Sequence, residues 1–237
     1  MNDTNEKASS SKQQPPKKAS PQDQELSSLF TGIGSSTVSD ALDKLAIPSQ
    51  LLNIKPLKHY SKPTIGPAYT VRYEPASDPP GTVGDFIDDV AAGDVVLIDN
   101  DGRTDCTVWG DIMTQYAGLR GIAATVIHGA CRDVDRAFAD GYPIFSVGRS
   151  MRTGKDRVQV VETGGVVGVA GVRVNHRDIV VADGDGVVVV PRDRAYDVLE
   201  VARGIEKSEQ RIRDMIVDGV SLTEARAKLD YYLLQRR

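Results

Sequence analysis

The chain has 237 residues, 40% hydrophobic and 26% charged, with 33 acids against 29 bases and a formal net charge of −4. That mixture can fill one sizeable core, and it lacks the overall basic footprint of a nucleic-acid binder. Two cysteines cannot staple a chain of this length, no apolar run reaches the ~18–20 residues of a membrane helix, and the polar N-terminus has no signal-peptide core, so a soluble cytoplasmic protein is expected.

Residues 1–23 are rich in Ser, Gln, Lys and Pro and read as a disordered polar tail, with Lys12, Lys17 and Lys18 as solvated charge. The folded domain is expected over 24–237. Leu26, Leu29, Phe30 and Ile33 have helical spacing from about Glu25. A second helix is expected after Ser35-Ser36-Thr37, with Thr37 and Asp40 in capping-box spacing and Pro48 beyond its end. Lys55–Leu57 and Ile65–Tyr73 read as extended chain, and 74–81 as a loop.

Val83–Ala92 reads as a short helix and Val95–Asp99 as a buried strand. A polar loop, a helix over Val108–Leu119 stopped by Gly121, and a second strand over Ile122–Ile127 follow. Asp133–Asp140 reads as a helix and Tyr142–Val147 as a third strand. Apolar strands separated by helices predict a parallel sheet with crossover connections. Shorter β-rich runs follow at Arg157–Glu162, Val166–Val174, Ile179–Ala182 and Gly186–Val190. Asp193–Asp218 is a long amphipathic helix, continued helically over Leu222–Leu234. No linker divides these parts, so one composite α/β domain is expected.

The stretch from Trp109 to Asp133 concentrates the chemistry. Gly110-Asp111 stands where a loop becomes a helix, and free N–H groups at such a start bind carboxylates or phosphates. Arg132-Asp133 follows a buried strand and opens the next helix, at the sheet edge where α/β proteins place ligands. On these grounds alone, helix capping by Asp111 and Asp133, with Arg132 paired to one of them, is the favoured reading over a site.

Asp111, twenty intervening residues, then Arg132-Asp133 resembles the D-x20-R-D pattern of the 4-hydroxy-4-methyl-2-oxoglutarate aldolases. That family also holds the regulators of ribonuclease E activity, and its members often carry the name demethylmenaquinone methyltransferase. Three further segments resemble it in order: 37–42 (TVSDAL), 93–99 (GDVVLID) and 177–191 (RDIVVADGDGVVVVP). The likeness covers roughly residues 25 to 215.

The resemblance implies a swivelling β/β/α-type single domain with a central parallel-containing sheet and a long C-terminal helix. It implies a homotrimer or homohexamer with sites near subunit interfaces. It also implies a class II aldolase that cleaves a 4-hydroxy-2-oxo acid to pyruvate and a second carbonyl product, with oxaloacetate decarboxylation as a second activity. By the same resemblance, Asp133 would hold Mg²⁺ or Mn²⁺, partly through water. Arg132 would contact the substrate keto oxygen, Gly110, Asp111, Ile112 and Met113 would cradle the carboxylate, and Asp111 would orient a water for proton transfer. The alternative is a non-catalytic regulator of a ribonuclease. Regulators of that branch lack part of the Gly110-Asp111 and Arg132-Asp133 set, which this chain keeps.

His128 and Trp109 depart from common family forms, which have an acid and a smaller residue there. His128 reads as a strand-end histidine bonded to backbone, against a substrate or acid/base role. For Trp109, packing and a cavity wall stand level. Cys131 reads as a buried, inert thiol. Asp183 and Asp185 around Gly184 read as a hairpin turn rather than a metal pair. Arg149, Arg152, Lys155 and Arg157 form a basic cluster around Gly154, either a solvated loop or a contact for anionic substrate tails.

Overall fold

Strands buried on both faces read as continuous apolar runs, and four such strands build the centre of the molecule. The computed structural model describes residues 16–229 and 231. Its main sheet has eight strands. β2 (Thr64–Pro75), β3 (Val95–Asp99), β4 (Ala124–Cys131) and β5 (Ile144–Arg149) run parallel, each paired with the next. β1 (Lys55–Pro56) adds antiparallel to β5, while β6 (Val158–Thr163) and β9 (Ile179–Ala182) add antiparallel to β2. β10 (Val187–Val190) closes a hairpin on β9, and β7 (Val167–Val169) pairs with β8 (Val172–Val174) as a separate ribbon.

The two-residue period of a strand sorts these side chains into separate cores. In β3, Val95 and Leu97 pack with the β7–β8 ribbon, while Val96 and Ile98 pack under α3 (Asp111–Arg120) and α4 (Val134–Asp140). In the β9–β10 hairpin, Ile179, Val181, Val188 and Val190 face a third core. That core is covered by α1 (Pro21–Leu29), α2 (Ser35–Lys44) and α5 (Ala195–Val217), with α6 (Leu222–Lys228) beyond. The structure is thus a single mixed α/β domain with a parallel-containing sheet and a long C-terminal helix.

Several elements differ from expectation. α1 starts at Pro21, because the Ser20 side chain caps it by accepting from the Asp23 N–H at 3.2 Å. Residues 1–15 of the expected tail lie outside the described residues, as does the end of the helical run expected to reach Leu234. Residues 16–23 are packed on the domain: Lys18 bridges to Ala92, Lys17 pairs with Asp89, and Asp23 is buried. Asp23 meets Arg177 at 2.7 Å and Arg192, while Arg177 also meets Asp94 at 2.7 Å.

α2 is not capped by Thr37. Its first N–H groups turn to Asp183, which accepts from the Ser35 N–H at 2.7 Å and the Ser35 hydroxyl at 2.6 Å. Asp183 and Asp185 sit in the β9–β10 turn, as expected, where the Asp183 N–H donates to the Gly186 carbonyl at 3.0 Å. The helix expected over Val83–Ala92 is only a 3-10 turn, Asp85–Asp89. Three Asp side chains and the flanking glycines offer the backbone other partners there. β4 runs four residues past Ile127, through His128-Gly129-Ala130, with an irregular register against β5. Among the described residues, no helix is long and apolar enough to cross a membrane.

Candidate active site

β4 ends at Cys131, so Arg132 and Asp133 leave the sheet at its carboxyl edge. α3 starts beside them. Gly110 is its N-cap and Asp111 its first helical residue, a correction to the expected capping role of Asp111. The two junctions are joined directly. The Asp111 N–H donates to Asp133 Oδ2 at 3.3 Å, and Arg132 Nε lies 3.2 Å from the same oxygen. The Arg132 N–H donates to the Trp109 carbonyl at 3.0 Å. The Ile112 N–H donates to the carboxylate of Asp111 at 2.9 Å. Two N–H groups of the first helical turn therefore already hold carboxylate oxygens, the property expected of a helix start.

Asp133 adopts the left-handed region, φ 55° and ψ 40°, and its side chain makes no bond to its own helix. Such a conformation costs a non-glycine residue about 1–3 kcal/mol and is held only where surroundings fix it. Here it turns the carboxylate back toward Gly110. A Cβ at Gly110 would lie 2.8 Å from Asp133 Oδ2 and 3.4 Å from Arg132 Nε, so a larger residue there would push the Asp133 carboxylate aside.

A cavity of about 550 Å³ opens in front of these residues. Gly110, Asp111, Ile112, Met113 and Arg132 line it; Asp133 is not among the lining residues and joins them through Arg132 and the Asp111 N–H. Residues 83–85, 87 and 88, Tyr116 of α3 itself and the loop Thr153–Lys155 also line it. Segment 83–88 and Tyr116 carry no sequence signal of a site, whereas Lys155 belongs to the basic cluster read as a candidate contact for anionic substrate tails. Tyr116 donates its hydroxyl proton to Asp88, and that bond, the largest influence, pushes the phenol pKa up. Trp109 both packs and lines the cavity. It is buried, stacks on Tyr142 at 6.2 Å, and donates Nε1–H to Thr114 Oγ1 at 3.0 Å. The Thr114 hydroxyl in turn donates to the Gly110 carbonyl at 3.0 Å.

The other singled-out residues lie apart. His128 does not line the cavity; its Nδ1 sits 3.3 Å from Asp99, a side-chain partner rather than the expected backbone one. Cys131 is buried and its thiol pKa is pushed up by that burial. Of the basic cluster, only Lys155 lines the cavity.

Among the described residues, no three His, Cys, Asp or Glu side chains gather as a metal cage. The donor set still suits a hard cation that keeps most of its water. Asp133 is part-exposed, its Oδ1 has no hydrogen-bond partner among the described residues, and the glycine at 110 keeps the space beside it open.

Comparison with known proteins places the chain in a family. The chain is 41% identical over 201 residues to protein DlpA of Legionella pneumophila, covering 83% of this chain and 32% of that protein, so it spans about a third of that relative's length. It is 32% identical over 202 residues to a protein of Halalkalibacterium halodurans named as a candidate 4-hydroxy-4-methyl-2-oxoglutarate aldolase, covering 83% of this chain and 90% of that one. A crystal structure of an uncharacterized protein from Pseudomonas syringae pv. tomato superposes with a TM-score of 0.80 at 38% identity, covering 88% of this chain and all of the other. The family model described as RraA-like, aldolase/RraA, matches residues 35–189, and the chain belongs to that family.

Proposed function

We propose that the protein is a divalent-metal-dependent lyase that cleaves a 4-hydroxy-2-oxo acid, of the 4-hydroxy-4-methyl-2-oxoglutarate kind, to pyruvate and a second carbonyl compound. The observation that carries this reading is that Gly110–Met113 and Arg132 line one cavity, with Asp133 tied to them through the Asp111 N–H and Arg132 Nε. The relative of Halalkalibacterium halodurans supports the substrate class.

The residues divide the work as follows. The start of α3, where the helix dipole favours an anion, receives the C1 carboxylate, which takes the Asp111 and Ile112 N–H groups in place of the Asp133 and Asp111 side chains. Arg132 points donors at the keto oxygen, where negative charge grows as the C3–C4 bond breaks and a pyruvate enolate forms. Asp111, exposed at the rim, holds the water that takes the C4 hydroxyl proton. Asp133 would hold Mg²⁺ or Mn²⁺, whose Lewis acidity polarises a bound 2-oxo carbonyl. The same enolate forms when oxaloacetate loses CO₂, so decarboxylation is proposed as a second activity. A homotrimer or homohexamer is proposed from the family resemblance, with exposed Ile112 and Leu119 on α3 and Met151 as apolar surface open to a subunit contact.

Exchange of pyruvate methyl protons with D₂O isolates the enolate step. With Mg²⁺ we expect exchange by the native protein and loss of most of it in Arg132→Lys, since an ammonium cannot reproduce the guanidinium fork. Exchange equal to the buffer blank contradicts the proposal and favours the second reading in the family, a protein-binding regulator, which the family description also joins.

A further inference from the structure

The cavity has one cation besides Arg132, and that is Lys155. Its position is built. The Thr107 N–H and hydroxyl both donate to the Arg152 carbonyl at 3.0 Å, tying loop 150–157 to the segment before α3. Gly154 sits so close that a Cβ there would lie 2.4 Å from the Thr107 carbonyl oxygen. Arg157 Nη1 donates to the carbonyls of Thr153 at 3.2 Å and Lys155 at 3.3 Å. The Lys155 N–H donates to Thr153 Oγ1 at 3.2 Å. The backbone that carries the lysine is therefore fixed on both sides.

The basic cluster thus separates by task. Arg149 lies over the Phe138 ring, Arg152 reaches Asp105 at 4.0 Å, and Arg157 holds the loop. Lys155 makes no ion pair among the described residues. The cavity is otherwise hostile to a second negative charge, because Asp85, Asp88 and Asp111 also line it. Arg132 shares its charge with Asp133. A substrate with two carboxylates needs a second cation to replace lost hydration. Lys155 is the lining residue that can supply it.

We propose that Lys155 sets specificity for the far end of the substrate, binding the carboxylate carried on C4 of a 4-hydroxy-2-oxo dicarboxylate. The inference rests on the aldolase reading. In the cleavage the C3–C4 bond breaks and its electron pair passes to C3. The C4 hydroxyl gives up its proton as C4 becomes a carbonyl carbon, and C3 of the enolate then takes a proton. The C4 carboxylate makes and breaks no bond, and it leaves on the second product. Lys155 therefore acts by binding, through discrimination between substrates.

The test compares 4-hydroxy-4-methyl-2-oxoglutarate with 4-hydroxy-4-methyl-2-oxopentanoate, which has a methyl group in place of that carboxylate. Pyruvate release is followed for the full chain with Mg²⁺. The native protein is expected to prefer the dicarboxylate. Lys155→Met should lower kcat/KM for the dicarboxylate about 30-fold, or about 2 kcal/mol, mainly through KM. The monocarboxylate value should move by less than about threefold. Lys155→Arg should keep most of the preference. A preference retained in Lys155→Met, or an equal fall on both substrates, overturns the inference alone. Release from neither substrate by the native protein overturns the aldolase reading and the inference with it.

Discussion

Asp133 Oδ2 accepts the backbone N–H of Asp111 at 3.3 Å and lies 3.2 Å from Arg132 Nε. One carboxylate oxygen thereby ties the end of β4 to the start of α3 across a separation of 22 residues. Removal of that carboxylate should disable the site and spare the fold, because the side chain is part-exposed. Asp133→Asn keeps a residue tolerant of the left-handed region. We expect it to melt within a few degrees of the native protein and to lose at least about 10²-fold in Mg²⁺-dependent pyruvate release. Native-like turnover in Asp133→Asn contradicts the assignment of Asp133.

Two glycines of α3 give a matched pair. Gly110→Ala places a methyl group 2.8 Å from Asp133 Oδ2, whereas a Cβ at Gly118 meets nothing within 4 Å. Gly110→Ala should cost about 10²-fold in kcat/KM through displacement of Asp133. Gly118→Ala should leave kcat/KM within about twofold and raise stability by about 0.5–1 kcal/mol, the ordinary gain for replacing a mid-helix glycine. Equal effects of the two substitutions on kcat/KM would remove the steric argument.

The indole of Trp109 reaches the site through one hydroxyl. Thr114→Val removes both the acceptor for Nε1–H and the donor to the Gly110 carbonyl. A buried donor left without a partner costs about 1–3 kcal/mol, so urea midpoints should fall accordingly. Thr114→Ser, which keeps the hydroxyl, should recover most of the loss. Equal midpoints for Val and Ser would show that the hydroxyl bridge does no such work.

The N-terminal segment has its own pH signature. Burial alone would raise the Asp23 carboxyl, but the hydrogen bonds from Arg177, Ser20 and Arg192 hold it below its ordinary value near 3.8. A depressed carboxylate stabilises the fold fully above its unfolded value, and that stability is lost as pH falls through the folded value. Asp23→Asn should therefore lower stability at pH 7 by about 1–3 kcal/mol, Arg177 still keeping Asp94. The gap to the native protein should begin to narrow below about pH 4 and close only as pH falls through the lowered folded value. Parallel denaturation series at pH 7 and pH 3 measure it, and a gap unchanged between them contradicts the account.

The central strands were legible because β3 is an unbroken apolar run and Gly121 ends α3 in the left-handed region. The continuation of β4 was not, since His128-Gly129 interrupts the apolar run. Pairing decides it instead: Asp99 of β3 stands beside His128 in the parallel register. The cap of α2 was hidden for a related reason, because its carboxylate comes from Asp183, 148 positions away. Asp23 was masked by the composition around it, although one buried acid between two arginines secures the segment. At the site, Gly110, Asp111, Arg132 and Asp133 were named from spacing and resemblance. Tyr116 and Asp88 were not, and Lys155 was named only within a basic cluster, because only the folded chain brings 83–88 and 153–155 to one cavity.

The central claim is that these residues perform metal-assisted carbon–carbon cleavage. A coupled assay of pyruvate release, run over a panel of 2-oxo acids that includes 4-hydroxy-4-methyl-2-oxoglutarate and oxaloacetate, tests it most directly. With Mg²⁺ we expect turnover of at least one 4-hydroxy-2-oxo acid, and with excess chelator a return to the blank. Turnover unchanged by chelator, or no pyruvate from any substrate with Mg²⁺ or Mn²⁺, contradicts it.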